Sequence, residues 1–511
     1  MLYDNYLFPT YMFHSKMKID KVSDYNPLYN VIGNDYTTTI PDFTVTDEDE
    51  NDISLGNKKV HVKFSPLLDP LKYMSGGYEL TDELFNIPSD VTDKTCHSKI
   101  CNPYNSAYVD AMFYNLSSSL KTKYKIPHCI EYYGEHNGLK SDLVLNIDDD
   151  VEYICESDFF VKNNGTLFMV DCPFIESPKL KPIKISDAID IGDVDEIGEL
   201  NLTFNLGDIN AKHNIDNSDT LDTNETINLD ANTDCSSTSS HTDDECDTAS
   251  ISGSDSTGSD SSDESICCNA IMKTFPVHAI YIEKCHDTLD SVMENLTCEE
   301  WESVVFQISV TLYIYQKTFN FTHNDLHTSN IMYVTTDIEY LYYKIMGRHY
   351  KIPTYGKIYK IIDFGRAIYT VNGKVIYSDS FTEDGDAAGQ YSFGEIKCSD
   401  TEILPNNSFD LCRLGCSIYD VLIDDVEAGE DTGIKSIICG WCMDNDGKNI
   451  LYKKDGTERY PGFKLYKMIS RRVHHHTPEN VMSNKIFDRY MISRKLVKNK
   501  RMTINVDDID Q

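Results

Sequence analysis

Residues 185–265 hold 21 Asp and Glu against a single lysine, Lys212, and no arginine, a net charge of −20 in a 511-residue chain whose whole balance is −37. The stretch DDECDTASISGSDSTGSDSSDE (243–264) is built almost wholly from Ser, Asp, Thr, Glu and Gly. Such a composition cannot bury enough apolar area to offset the conformational entropy of ordering, so the segment is expected to be disordered. LNLTFNL (200–206) and TINLD (226–230) are expected to form no more than transient strands. Serines followed by acidic residues, as in SDSSDE, suit an acid-preferring kinase, but a solvated spacer is the simpler expectation. The segment therefore divides the foldable chain in two.

The remainder has ample material for a large core, with 40% hydrophobic residues and 33 tyrosines. No stretch approaches the ~18 consecutive apolar residues that a membrane helix requires. The start, MLYDNYLFPTYMFHSKMK, places Asp4 where a secretory signal wants positive charge, so a soluble, intracellular chain is expected. The sixteen cysteines follow no regular framework, which predicts reduced thiols. Cys439 and Cys442 form a C-x-x-C, and His474, His475 and His476 are the nearest source of a second half for a zinc site. The preceding IKSII looks like a helix face, so two buried or half-buried thiols are expected there. The strong negative balance argues against a nucleic-acid surface over the whole chain.

GNKKVHVKFSPLL (56–68) alternates apolar and polar residues and predicts a strand. YNSAYVDAMFYNLSSSLK (104–121) has helical spacing, IPHCIEYYGEHNG (126–138) predicts a short strand running into a glycine turn, and VHAIYIEK (277–284) predicts another strand. TCEEWESVVFQISVTLYIYQKTF (297–319) predicts a long helix opened by a capping box of Thr297 and Glu300. A strand pair is expected around YKIIDF (359–364), with helices from SFDLCRLGCSIYDVL (408–422) onward. Strands with one helix, then mostly helices, predict an α+β chain with a small β-rich part and a larger helical one.

After the long helix comes HNDLHTSN, with Asp325 and Asn330 five apart, and downstream Asp363-Phe364-Gly365 behind the strand-like KII. Two carboxylates and an amide oxygen on separate turns beside strands suit Mg²⁺, a hard cation that takes few protein ligands and completes its shell with water and phosphates. Lys63, on the strand VHVK, supplies a cation for phosphate.

These motifs resemble the protein-kinase set: HNDLHTSN its catalytic loop, D-F-G its metal-binding turn, VHVK its strand lysine, and SFDLCRLGCSIYD the helix whose aspartate, here Asp410, braces the loop. KFSPLLDPLKYMSGGY, THNDLHTSNIMYVTT, IPTYGKIYKIIDFGRAIY and GTERYPGFKLYKMISRRVHHHTP are similar to the protein-kinase-like proteins of giant DNA viruses of the mimivirus kind, and the IPTYG stretch is also similar to haspin-like kinases. The resemblance implies a two-lobed α+β fold that binds ATP and Mg²⁺: 1–29 an N-terminal extension, 30–184 the first part of a β-rich N-lobe, 185–265 the acidic insert, 266–296 a hinge strand region, 297–500 an α-helical C-lobe and 501–511 a tail. It further implies that Asp325 accepts or orients the substrate hydroxyl proton, that Asn330 and Asp363 hold Mg²⁺, that Lys63 contacts the α/β-phosphates, and that His323 is a scaffold near D-F-G.

The departures are specific. The glutamate that pairs with the strand lysine has no clear counterpart; Asp110, on the helix at 104–121 and one methylene shorter, is the first choice, with Glu79 and Glu83 the alternatives if that stretch is not a helix. No G-x-G-x-x-G precedes Lys63, only the lone glycines of Ile32-Gly33-Asn34 and Leu55-Gly56-Asn57. Asn324 replaces the arginine that meets a phosphorylated activation loop, leaving Ser378, Ser380 and Thr382 without that partner. His327 stands where a lysine is usual, as in aminoglycoside and choline kinases, and TEILPNNSFD occupies the place of A-P-E. The expected activity is transfer of the ATP γ-phosphate to a Ser/Thr hydroxyl of a protein substrate, with no nucleic-acid or membrane partner. A small-molecule kinase of the same fold and a weakly catalytic scaffold are the rivals.

Overall fold

The computed structural model describes residues 19–23, 25–32, 44–45, 52–55, 58–88, 95–148, 151–172, 268–391, 403–423, 433–497 and 503–510. The chain divides into two compact units, Met1–Pro178 with Ile266–Gln511, and Lys179–Ser265. Every described residue belongs to the first. The acidic segment, its two expected strands, and the glycines Gly33 and Gly56 lie outside the described residues.

Alternation in KKVHVKFSP produces strand β4 (Lys58–Pro66), with Val60 and Val62 buried on one face. It is a central strand of a seven-stranded sheet ordered β1-β5-β7-β4-β3-β2, with β6 also pairing β7. The other members are β1 (Ile19–Ser23), β2 (Thr44–Val45), β3 (Asp52–Leu55), β5 (Tyr132–Asn146), β6 (Phe168–Asp171) and β7 (Asn269–Glu283). All its pairings are antiparallel, and Lys63 stands opposite Ile280 of β7.

Two expectations are corrected here. The glycine turn expected at 134–138 is a continuation of β5: Gly134 absorbs a register shift against β7, and pairing then runs on to Asn146. A long apolar partner strand makes a bulge cheaper than a reversal, and glycine at φ +146° accommodates it. The thiols are not all reduced either. Cys172 and Cys268 form a disulfide, because the pairing of Asp171 with Asn269 sets the neighbouring residues opposite each other, 96 positions apart in the chain.

Helix α1 (Ser106–Tyr124) packs on this sheet. Asn105 caps it by accepting from Ala107 N at 3.1 Å. Residues Ala107 through Tyr114 are all buried, so the first two turns have no solvent face and Asp110 is enclosed among apolar neighbours. Helix α2 (Cys298–Phe319) starts with the expected capping box: Glu300 N donates to Thr297 Oγ1 at 3.3 Å and Thr297 N to Glu300 Oε2 at 2.9 Å. It ends in a left-handed Asn320.

Beyond α2 the chain is richer in strands than its composition predicted. Strand β8 (Asp287–Thr288) pairs β9 (Ile331–Thr335), which pairs β12 (Lys357–Ile361). Between them β10 (Tyr340–Ile345) and β11 (Arg348–Pro353) form a hairpin joined by a parallel β15 (Thr503–Asn505), and β13 (Ile368–Val371) pairs β14 (Lys374–Tyr377). Helices α3 (Phe409–Ile423), α4 (Ile434–Trp441) and α5 (Lys464–Arg472) follow. Cys442 follows α4 and is buried against α3, where a Cβ on Gly415 would lie 3.3 Å from its Sγ, while Cys439 is half-buried. His476 bonds Met443 O and His474 bonds Asn445. Among the described residues no group of three or more His, Cys, Asp and Glu side chains is arranged to hold a metal, and no helix is long and apolar enough to cross a membrane.

Candidate active site

Lys63 leaves β4 and places its Nζ 2.6 Å from Asp110 Oδ2 on α1 and 2.9 Å from Asp363 Oδ1. Of the three carboxylates considered for it, Asp110 is the one it meets. The shorter side chain suffices because α1 lies hard against the D-F-G turn: Phe364 N donates to the other oxygen, Asp110 Oδ1, at 2.7 Å. Phe364 is fully buried between Phe113, Tyr114 and Phe321. Asp363 N donates to Tyr114 Oη at 2.9 Å, a partner with no sequence signal 249 positions away.

One ammonium thus serves two carboxylates. Burial alone would lower Lys63, but Asp110 and Asp363 outweigh it and hold the amine well above its usual range. Burial pushes Asp110 up to about 6 against the pull of Lys63. Burial would also raise Asp363, yet Lys63 wins and holds it down at about 2. Asp363 remains half-exposed and charged.

The loop after α2 is fixed from below by α3. Asp410, fully buried, accepts His323 N at 2.8 Å and Asn324 N at 2.9 Å. Burial pushes its carboxyl up to about 7, and the two amides oppose that. His323 is also fully buried. Its Nε2 lies 2.8 Å from Ile362 O, so that nitrogen carries the proton, and Nδ1 accepts from Asp325 N at 3.3 Å. Desolvation keeps the ring neutral. It couples the loop to D-F-G without facing the cleft.

Asn324 and Asp363 both take left-handed backbone, φ 66° and 64°, a conformation that Asn and Asp tolerate better than most residues. This explains the departure at 324: the buried amide donates to Arg366 O at 3.0 Å and accepts from Tyr391 Oη, so it is a structural joint. Of the three hydroxyls after D-F-G, Ser378 and Ser380 are buried and Thr382 is exposed.

Asn330 donates its amide hydrogens to Asp325 O at 2.9 Å and to His327 Nε2 at 3.0 Å. That leaves its carbonyl oxygen as the end available to a cation. His327 is half-buried, and desolvation lowers its pKa, which suits an acceptor toward Asn330. Its contact explains the residue as a support for Asn330. The oxygen of buried Asn330 and the half-exposed Asp363 carboxylate are the hard donors here that could hold a cation such as Mg²⁺.

Asp325 is engaged by two residues that short-range motif reading missed. Tyr466 Oη on α5 donates to Oδ1 at 2.7 Å, and Arg366 Nη1 approaches Oδ2 at 3.4 Å while binding Asp386 at 2.7 Å. Arg366 adjoins D-F-G and could have been suspected from that position; Tyr466 has no local signal.

A cavity of about 270 Å³ adjoins Lys63 and Asp363, walled by Ile130, Ile282, Met332 and Ile362, with Glu283, Lys284 and Cys285 along one side. Its walls are apolar, with charged groups at one end and along one side. A larger cavity of about 840 Å³, between Lys72, Lys99 and Asp379, is lined by none of Lys63, Asp325, Asn330 or Asp363, though Asp386 borders it.

No family model matches the chain. Part of it is similar to the serine/threonine-protein kinase haspin of Mus musculus, 30% identical over 94 residues, which is 18% of this chain and 12% of that protein. The same named kinase of Bos taurus is 30% identical over 95 residues, again 18% and 12% of the two chains. The matched stretch thus spans about an eighth of the length of these relatives. The chain is a mixed α+β protein with a distant, partial relationship to a protein kinase.

Proposed function

We propose that the chain is an ATP- and Mg²⁺-dependent phosphotransferase with the two-lobed protein-kinase arrangement, acting on a Ser/Thr hydroxyl of a protein. The observation that carries it is the shared contact of Lys63 with Asp110 and Asp363. A cation shared between a buried helix carboxylate and a turn carboxylate is costly unless the site uses it. Bound nucleotide would take the apolar cavity for its base, Lys63 for its α/β-phosphates, and the oxygens of Asn330 and Asp363 through Mg²⁺. That ion would supply neutralisation of phosphate charge during transfer. Asp325 would orient the acceptor hydroxyl and take its proton, its backbone held by Asn330 and His323 and the two residues before it by Asp410. The quoted stretches similar to kinase-like proteins of giant DNA viruses favour a viral origin.

One observation favours a weaker catalyst. The connection between β2 and β3, where a phosphate-covering loop would fall, reads TDEDEN and contains no glycine. Incubating the full chain with γ-labelled ATP, Mg²⁺ and a mixture of acceptor proteins tests both readings. Transfer lost in Asp325→Asn and Asp363→Asn supports the enzyme. MgATP binding without any transfer supports the scaffold, and transfer undiminished in both variants overturns the site.

A further inference from the structure

Asp325 does not present a vacant carboxylate. Oδ1 accepts the Tyr466 phenol at 2.7 Å, and Oδ2 faces Arg366 at 3.4 Å. In phosphoryl transfer the acceptor hydroxyl makes the bond that the phenol makes here: a neutral O–H donating to the carboxylate of the loop.

We propose that Tyr466 is an internal occupant of the acceptor position, and that an incoming hydroxyl reaches Asp325 by displacing it. This rests on the phosphotransferase reading. The alternative, that the phenol orients Asp325, is redundant with the backbone. Asp325 N donates to His323 Nδ1 and Asp325 O accepts from Asn330, so the loop is positioned from the opposite side. The second oxygen faces the charged Arg366 at 3.4 Å, so Oδ1 is the oxygen whose donor is a neutral hydroxyl like the incoming one.

The phenol is equipped to stay. Its ring stacks on Phe463 at 5.4 Å, lies under the Arg413 guanidinium at 5.0 Å, and touches Phe409 at 6.2 Å. Burial, with the charge of Asp325 behind it, keeps the phenol protonated and hence a donor. These partners hold the ring, and only the single O–H bond blocks the carboxylate. Tyr466 therefore excludes weak acceptors, water first, and favours an acceptor that brings binding energy of its own.

The test compares the wild-type chain with Tyr466→Phe, which keeps the ring packing and removes the donor. Two measurements are made: MgATP hydrolysis, with water as the acceptor, and the shift of melting temperature on adding MgATP. A hydrogen bond to a charged group is worth enough for hydrolysis kcat to rise about tenfold in Tyr466→Phe. The KM for ATP should stay within about twofold, a split that loss of packing would not give. A kcat that falls or stays level in Tyr466→Phe while the MgATP shift persists overturns the occupant and makes Tyr466 an orienting group. Loss of the MgATP shift in Tyr466→Phe alone also overturns it, as a fold support. Absence of the shift in the wild-type chain overturns the nucleotide reading itself, and the occupant with it.

Discussion

The two halves of the proposed site, one for nucleotide and one for acceptor, are held by different physics. On the nucleotide side, Lys63, Asp110 and Asp363 satisfy one another around a carboxylate that is 2% exposed and a fully buried Phe364. On the acceptor side, Asp325 and Arg366 are each 23% exposed, and their partner Asp386 is 53% exposed. Lys63 and Asp363 reach water, at 25% and 48% exposure, but Asp110 does not, and losing Lys63 would strand that carboxylate. None of Asp325, Arg366 and Asp386 is buried as deeply as Asp110, so their contacts exchange with water at smaller cost. The nucleotide side is therefore pre-built by the fold, while the acceptor side is a set of replaceable contacts that a substrate can remodel.

The largest effects should separate the halves. Asp325→Asn and Asp363→Asn are each expected to lower transfer by about 10²–10⁴-fold, the usual reach of a proton-handling or charge-stabilising group. Only Asp363→Asn should also weaken MgATP, because it removes the proposed metal oxygen and leaves Lys63 to Asp110 alone. Equal loss of nucleotide affinity in both variants, measured by titration calorimetry, would erase the distinction.

Acid should also act on the fold through a histidine that belongs to neither half. His128, fully buried, bridges Tyr359 O at 3.0 Å and Tyr343 Oη at 2.8 Å, and burial lowers its pKa to about 4. The unfolded chain binds this proton near pH 6.5 and the folded chain does so only near 4. The contribution is therefore complete above pH 6.5 and is lost as pH falls to about 4. It amounts to about 3 kcal/mol by linkage. His128→Gln should be less stable at pH 7.5 and flatter from 6.5 to 4 in denaturant titrations. A slope matching the wild-type chain would assign the acid sensitivity elsewhere.

What the sequence disclosed follows the same division. Asp325, Asn330 and Asp363 were legible because they sit at short, fixed offsets in loops beside strands, and the Thr297–Glu300 capping box is a purely local device. Asp110 could be placed only among three candidates, since its choice depends on how closely α1 approaches D-F-G. Tyr466 lies 141 positions from Asp325, and Tyr114 lies 249 from Asp363. Chain spacing carries no trace of such contacts. Gly134 misled for a related reason: whether a glycine turns or bulges is decided by the partner strand, here β7.

Asp379 anchors the start of α1, and its loss should have an intermediate effect. From the segment after β14 its Oδ1 accepts Ser106 N at 3.2 Å, at the start of α1, and its Oδ2 accepts Lys99 at 2.8 Å. Asp110 lies one turn further along the same helix. A carboxylate at a helix N-terminus with a lysine partner contributes about 1–2 kcal/mol, so Asp379→Ala should reduce kcat/KM for ATP by roughly tenfold. Asp379→Asn, which retains hydrogen-bond acceptance, should recover part of it. Unchanged kinetics in the alanine variant would mean that α1 is placed by its apolar packing alone.

Asp386→Asn should give the smallest change, and its sign is informative. Arg366 binds Asp386 through Nε at 3.0 Å and Nη2 at 2.7 Å, with Nη1 left to Asp325 at the longer distance. Removing the exposed carboxylate lets the guanidinium turn fully toward Asp325, which makes that carboxylate a poorer proton acceptor. An exposed pair is worth only about 0–1 kcal/mol, so transfer should slow by less than about threefold at low salt. The slowing should shrink at ~1 M salt, where the screening length falls to about 3 Å. A tenfold, salt-independent loss would place Arg366 in a rigid network like that around Lys63, and the acceptor side would then be as firmly pre-built as the nucleotide side.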